Sequence, residues 1–308
     1  MNKIFYFMLL FISSCIASER LYLGTGDING IYYQIGGEFC RLATNSNLNY
    51  RCAVVPSSGS IENLSLLENN EINFAIVQSD WVYQAYQGIG PFKEKPMNEL
   101  RAIFATHAEP FTLVVKANAD INSVLDLKNK KIYIGMPNSG TRQTAINLFS
   151  KVNLSLNDLK EVNVEYPSEA LCKGAIDAFA MVSGHPNKTL VETTKLCDIK
   201  FIAIDKAILD KLMMGSPFYQ KSQIPPRLYP GNIKPIPTFA VAAILVTSSS
   251  TNPDKVYALT KGMLDQQTNF NKQTFAYANL FRLNKHRVGK VIPIEQHPGA
   301  KKYFDETK

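Results

Sequence analysis

The chain has 308 residues, 45% hydrophobic and 19% charged, with a formal net charge of +7. That length exceeds the usual size of a single core and predicts two lobes in an ordinary globular protein. The positive charges stand as single residues and Lys-Lys pairs without interleaved aromatics, which argues against nucleic acid and leaves a modest positive field suited to solubility or to an anionic small ligand.

Residues 1–17 read as a secretory signal: Asn2-Lys3, an apolar run from Ile4 to Ile12, then small residues to Ala17. The run is too short for a permanent membrane span, which needs about 20 residues. The chain is therefore expected to be exported to the periplasm. Cleavage after Ala17 is one processing route; the other takes Ile12-Ser13-Ser14-Cys15 as a loose lipobox with a lipid anchor at Cys15. Either route leaves four cysteines, Cys40, Cys52, Cys172 and Cys197, an even set that predicts two disulfides in an oxidising compartment. Three pairings are open, and the local one, Cys40 with Cys52 and Cys172 with Cys197, closes short loops. No close Cys spacing points to a metal.

Short apolar strands then alternate with helical patterns, which predicts an α/β fold with largely parallel sheets. Leu21–Leu23 is a strand leading to a helix with Ile35, Phe39 and Leu42 on one face. Tyr50–Val55 leads to a helix with Ile61, Leu64 and Leu67; Phe74–Val77 leads to a helix from Trp81. The pattern restarts with strands at Phe111–Val115 and Lys131–Gly135. Further strands follow at Ala175–Val182, Phe201–Ile204 and Phe239–Val246, then helices over Asn252–Gln267 and around Phe270–Leu280. The Pro/Gly-rich stretch Pro225–Phe239 is expected to be irregular. This places one discontinuous lobe at 19–118 and 239–308, with a second lobe, 119–238, inserted.

Three strand-to-helix loops share one design: GTGDINGIYY from Gly24, PSSGSIENL from Pro56 and NSGTRQTAINL from Asn138. The first resembles a dinucleotide turn, but Gly30 comes one residue late, with Asn29 where the third glycine belongs. Such loops collect at the carboxyl edge of a parallel sheet, where unpaired amides of a helix's first turn can hold a carboxylate or phosphate. Each loop taken singly also reads as ordinary capping.

In order and spacing these loops, together with AIVQSDWVYQAYQG from Ala75 and IDAFAMVSGHPN from Ile176, resemble the TAXI subgroup of TRAP-transporter solute receptors. The positions of the four cysteines look like those of the subgroup as well. The resemblance covers nearly the whole mature chain. It implies a two-lobed type II periplasmic binding protein, monomeric and without cofactor, that takes a small organic anion (a glutamate-like amino acid or a dicarboxylate such as 2-oxoglutarate) to a TRAP membrane permease. Carried onto this sequence, the first lobe would offer Thr25, Gly26, Tyr33, Ser58, Gly59, Ser60, Gln78, Ser79 and Asp80 to the ligand. The second would offer Ser139, Gly140, Thr141, Arg142, Ser183 and Gly184. Gln78 and Asp80 could read an amino group, and Arg142, with its planar fork, is the candidate for pairing a carboxylate.

Two other readings keep their place. The same lobes would serve an ABC permease or a sensor. An exported hydrolase or transferase is the other, but His107, His185, His286 and His297 stand far apart, and neither H-E-x-x-H nor G-x-S-x-G occurs. His185, beside a site loop, is expected to hydrogen-bond its own neighbours.

Overall fold

The computed structural model describes residues 18–45, 50–265 and 293–307. The signal segment with Cys15, and the helix expected around Phe270–Leu280, lie outside the described residues.

The first lobe opens with β1 (Glu19–Gly24), α1 (Ile31–Asn45), β2 (Tyr50–Val55), α2 (Ser60–Glu68), β3 (Phe74–Gln78) and α3 (Ser79–Gln87). Strand β1 pairs parallel with β2 and β3. All five residues of β3 are buried, as suits a strand covered on both faces. Ile31, Ile35, Phe39 and Leu42 form the buried stripe of α1, the spacing that puts apolar side chains on one helical face. Gly36 lets this helix lie directly on the β1 loop, because a Cβ there would collide with Thr25 Cγ2.

A 17-residue strand, β4 (Leu100–Lys116), leaves this lobe for the second. There follow β5 (Lys131–Tyr133), α4 (Gly140–Lys151), β6 (Lys160–Glu161), α5 (Pro167–Lys173), β7 (Ala178–Val182), α6 (Lys188–Leu196), β8 (Ile199–Phe201), α7 (Lys206–Met213) and β9 (Gln220–Ile224). Strand β10 (Ile236–Ser248) returns, and α8 (Pro253–Asp265) and α9 (Pro298–Glu306) complete the described chain. Val256, Leu259 and Tyr303 of these last helices share a core with Leu23, Ile35 and Phe104. Phe111, Ile134, Leu148, Phe149 and Phe239 belong to the core of the other lobe.

The strand order is β2-β1-β3-β10-β4-β7-β5-β6, with β8 added on β4 and β9 on β10. The fold is thus the expected two-lobed α/β arrangement, but its sheet is mixed rather than largely parallel. Strands β4 and β10 run antiparallel to each other and to β3 and β7, their neighbours in the sheet. Residues Leu100–Pro110 of β4 pair with β10, and Phe111 onward pairs with β7. Pro110, lacking an N–H, stands where the ladder changes partner. The lobe boundary expected at 118/119 falls just past the end of β4. The stretch expected to be irregular up to Phe239 already enters β10 at Ile236, with Pro237 opposite Gln223 of β9.

Disulfides join Cys40 of α1 to Cys52 of β2, and Cys172 of α5 to Cys197 just beyond α6. Among the described residues no helix is long and apolar enough to cross a membrane. The Cys172–Cys197 bridge spans 25 residues, a loop whose closure restricts the unfolded chain by about 3 kcal/mol. Replacing both cysteines by alanine is expected to lower unfolding free energy by that amount in urea melts of the oxidised protein. Unchanged midpoints would remove the bridge from the stability of this lobe.

Candidate functional site

Each loop is first held by its own lobe. The Thr25 hydroxyl and amide both donate to Val55 O at 2.9 Å, so this buried residue serves the loop itself. Asn63, fully buried, donates to Thr25 O at 2.6 Å and to Ile76 O at 2.9 Å, pinning the β1 loop to β3. Gly26 O accepts Ser57 N across the gap between the first and second loops. The Ser58 amide donates to Glu62 Oε2 at 2.8 Å, and Gly59 adopts φ 116° at the head of α2, a conformation that favours glycine. Asn63 was legible as part of the loop pattern; its role as a pin was not.

The three remaining junctions of the expected set meet where the lobes touch. The Ser60 hydroxyl donates to Gln78 Oε1 at 3.4 Å and accepts from Gln78 N at 3.1 Å. Gly140, the first residue of α4, lies against them: a Cβ there would overlap Gln78 Oε1 and come within 2.8 Å of Ser60 Oγ. Ser139 caps α4 by accepting Arg142 N at 3.1 Å, and Trp81 Nε1 donates to Gly140 O at 3.3 Å. Thr141 Oγ1 accepts Val182 N at 3.2 Å, tying α4 to the end of β7. Just beyond β7, Ser183 Oγ accepts Asn187 Nδ2 at 3.0 Å, and Gly184 is buried.

Ser79 and Asp80 reach across to the other lobe. Ser79 Oγ donates to Phe218 O at 3.2 Å and accepts Ala242 N at 3.0 Å. The Asp80 carboxylate is 0% exposed and accepts Trp81 N at 3.0 Å, Thr144 Oγ1 at 2.9 Å and Tyr219 OH at 3.4 Å. Burial lifts its pKa to about 7, against the pull of the Thr144 and backbone hydrogen bonds and with a smaller push from Glu109. On the other rim, Tyr133 is pushed up to about 12, first by burial and then by Asp27 of the β1 loop.

Arg142 is engaged within its own lobe. Its Nε and a terminal nitrogen donate to the two oxygens of Glu161 at 2.8 and 2.9 Å, so the fork expected to take a ligand carboxylate holds a side chain of the protein. A surface cavity of about 420 Å³ surrounds this pair, lined also by Pro137, Asn138, Gln143 and Asn163. Of the two adjacent tyrosines, Tyr32 sends its hydroxyl into the junction, where it donates to Glu109 Oε2 at 2.7 Å; Tyr33 is half-buried beside it. Burial and then Glu109 hold the Tyr32 hydroxyl well above its usual pKa. Glu109 was missed because a Glu-Pro step reads as a loop rather than a buried strand.

His185 does not bond its sequence neighbours. Its Nε2 meets Thr112 Oγ1 at 2.9 Å and its Nδ1 meets Tyr229 OH at 2.7 Å, and burial lowers its pKa to about 4.

The NMT1-like family matches residues 23–307, nearly the whole described chain. The chain belongs to the NMT1-like family. Its fold, that of periplasmic binding proteins, is also seen in solved structures of low identity. The alkanesulfonate-binding protein SsuA from Xanthomonas axonopodis pv. citri, bound to MOPS, is 13% identical over 93% of this chain and 83% of that one, with TM-score 0.53. A protein from Bordetella bronchiseptica RB50 is 16% identical over 93% and 88%, with TM-score 0.56. A ligand-binding component of an ABC-type import system from Staphylococcus aureus, with zinc bound, is 10% identical over 92% and 84%, with TM-score 0.52. In this NMT1-like chain the junction of the lobes is where the strand-to-helix loops of both converge.

Because the folded chain holds the Asp80 proton more tightly than the unfolded chain, this group's contribution to stability is complete below about pH 4. It is lost as pH rises through about 7. The isosteric Asp80→Asn variant is expected to lack that slope, so that wild type loses on the order of 4 kcal/mol relative to it across this window. Urea melts at pH 4, 5.5 and 7.5 measure this, and parallel slopes would show that Asp80 titrates normally.

Proposed function

We propose that the chain is an exported solute receptor that closes its two lobes over a small ligand with an acidic group and presents the closed form to a membrane permease. The observation that carries this reading is the meeting of Ser60 and Gln78 from one lobe with the opening turn of α4 from the other, beside the unpartnered donor Gln78 Nε2. Helix amino ends offer amides and a favourable dipole to an acidic group. The ligand-facing set in this reading is Ser60, Gln78, Ser139, Gly140 and Thr141, with Ser183 and Gly184 behind them. Thr25, Gly26, Ser58 and Gly59 shape the loops, and Ser79 and Asp80 join the lobes. The ligand then stabilises the closed form by its differential affinity for it.

An ABC permease is the partner that the fold relatives favour, since those named by function are a sulfonate-binding protein and a component of an ABC-type importer. A TRAP permease of the TAXI type, with a glutamate-like amino acid or a dicarboxylate as cargo, is the second reading, supported by the loop motifs and cysteine positions. The gene beside this one discriminates: an ATPase accompanies an ABC permease, whereas a large multi-span permease without one accompanies TRAP transport. The signal-like residues 1–17 support a periplasmic location, free or anchored through Cys15. A receptor returns its ligand unchanged, which separates it from an exported enzyme.

A thermal-shift screen of amino acids, dicarboxylates and sulfonates on the mature chain tests the reading. A true ligand at about 100 times its dissociation constant adds roughly 2.7 kcal/mol of stability, and a flat response across the screen would count against a receptor of these ligands. With a hit in hand, Arg142→Ala is expected to change affinity by less than about threefold, or ~0.6 kcal/mol, because Glu161 already occupies the guanidinium. A loss of tenfold or more by calorimetry would return Arg142 to the ligand.

A further inference from the structure

At the first turn of α3 the lobes are joined by a lone carboxyl group rather than by an ion pair. Asp80 is 0% exposed and takes Thr144 Oγ1 at 2.9 Å and Tyr219 OH at 3.4 Å from the second lobe, with Trp81 N at 3.0 Å from its own turn. Tyr219 OH also bonds the side chain of Asn147, three residues after Thr144 in α4.

The titratable groups that face Asp80 offer it no counter-ion. Tyr219, from the segment before β9, is held neutral by burial and then by Asp80 itself. Tyr32 of α1 is held neutral by burial and then by Glu109. Glu109 of β4 carries the same sign as Asp80. From α4 come the uncharged Thr144 and Gly140, and from β10 the backbone of Ala242, which bonds Ser79.

Hydroxyl partners suit both forms of a carboxyl group. An O–H can donate to the carboxylate or turn and accept from the acid, whereas a lysine or arginine serves the anion alone. With no cation to hold the charge, the closed junction favours the neutral acid, and burial accordingly lifts Asp80 to about 7. Parting the lobes removes Thr144 and Tyr219 and admits water, in which an aspartate ionises at about 4.

We propose that Asp80 is a proton-operated latch: closing the lobes binds one proton at its carboxyl group, so that acid favours the closed, ligand-holding form and neutral pH loosens it. This rests on the receptor reading above and adds a control to the same site. The proton comes from solvent as the lobes close and returns there as they part, and no other bond is made or broken. Because the closed form holds this proton more tightly than the open one, its advantage is complete below about pH 4. It falls by about tenfold per pH unit until about pH 7.

Trp81 reports on the latch. It is the one tryptophan of the chain, 1% exposed, and its Nε1 donates to Gly140 O across the junction at 3.3 Å. Hydrogen exchange at this single indole, followed by NMR on the ligand-free mature protein from pH 4 to 8 and corrected for the intrinsic rate, measures the opening constant even while closed molecules dominate. Protection is expected to fall about tenfold per pH unit between pH 4 and 7 and to level off above that, a loss of roughly several hundredfold in all. Asp80→Asn is expected to show no such slope. Thr144→Val, which removes a donor that favours the ionised form, is expected to carry the fall to higher pH. Protection independent of pH in the wild type, or an equal slope in Asp80→Asn, overturns the latch and leaves the receptor reading to the ligand screen. A flat ligand screen beside an intact slope removes the receptor reading and not the latch. Should Asp80→Asn fail to fold, Thr144→Val decides, and a curve that coincides with the wild type overturns the latch.

Discussion

The hydrogen bonds that Asp80 accepts from Thr144 and Tyr219 set where the two lobes stand. They join the first turn of α3 to α4 and to the segment before β9, three places far apart in sequence. With Ser79 on Phe218 O and Trp81 Nε1 on Gly140 O, they draw the amino ends of two helices together. The close approach of Gly140 to Gln78 and Ser60 follows from that contact, and a side chain at Gly140 would not fit it. A buried carboxylate with three donors and no cation is satisfied geometrically but costly electrostatically when ionised. Ionising Asp80 therefore weakens the link, in keeping with its raised pKa.

Beneath this contact the lobes are continuous through β4 and β10. Paired antiparallel over most of their length, they form a ribbon that leaves one sheet and enters the other. The ladder changes partners at Pro110 and Phe111, so each sheet keeps its own pairing on either side of that point. The register of β4 against β10 slips at Thr106, a few residues from this point, on the same strand that carries Glu109 to Tyr32.

The sequence made legible what depends on local pattern. The apolar stripe of α1 and the buried run of β3 stand at the expected positions, and the loops after β1, β2 and β5 open helices as their Gly, Ser and Thr content predicts. The first half of β4 was hidden because His107, Glu109 and Pro110 interrupt its apolar character, and their tolerance depends on partners supplied by α1 and β10. The chemistry of Gln78-Ser79-Asp80 was visible as a polar strand end. Its division of labour was not, since Phe218 and Tyr219 lie 139 residues away from Ser79 and Asp80. Arg142 likewise presented a free fork until β6 placed Glu161 beside it.

That last pairing shows why net charge is a poor guide to a buried site. The excess of +7 suited either solubility or an anionic ligand, yet where the lobes meet the described contacts are made by the buried Asp80 and by neutral groups: hydroxyls, backbone amides and the Gln78 side chain. Surface lysines create a long-range field that salt screens over roughly 8–10 Å, whereas a ligand enclosed between lobes responds to the groups it touches. At the junction itself Asp80 is satisfied by Trp81 N, Thr144 Oγ1 and Tyr219 OH, and Glu109 by Tyr32 OH, with His107 Nε2 at 3.5 Å.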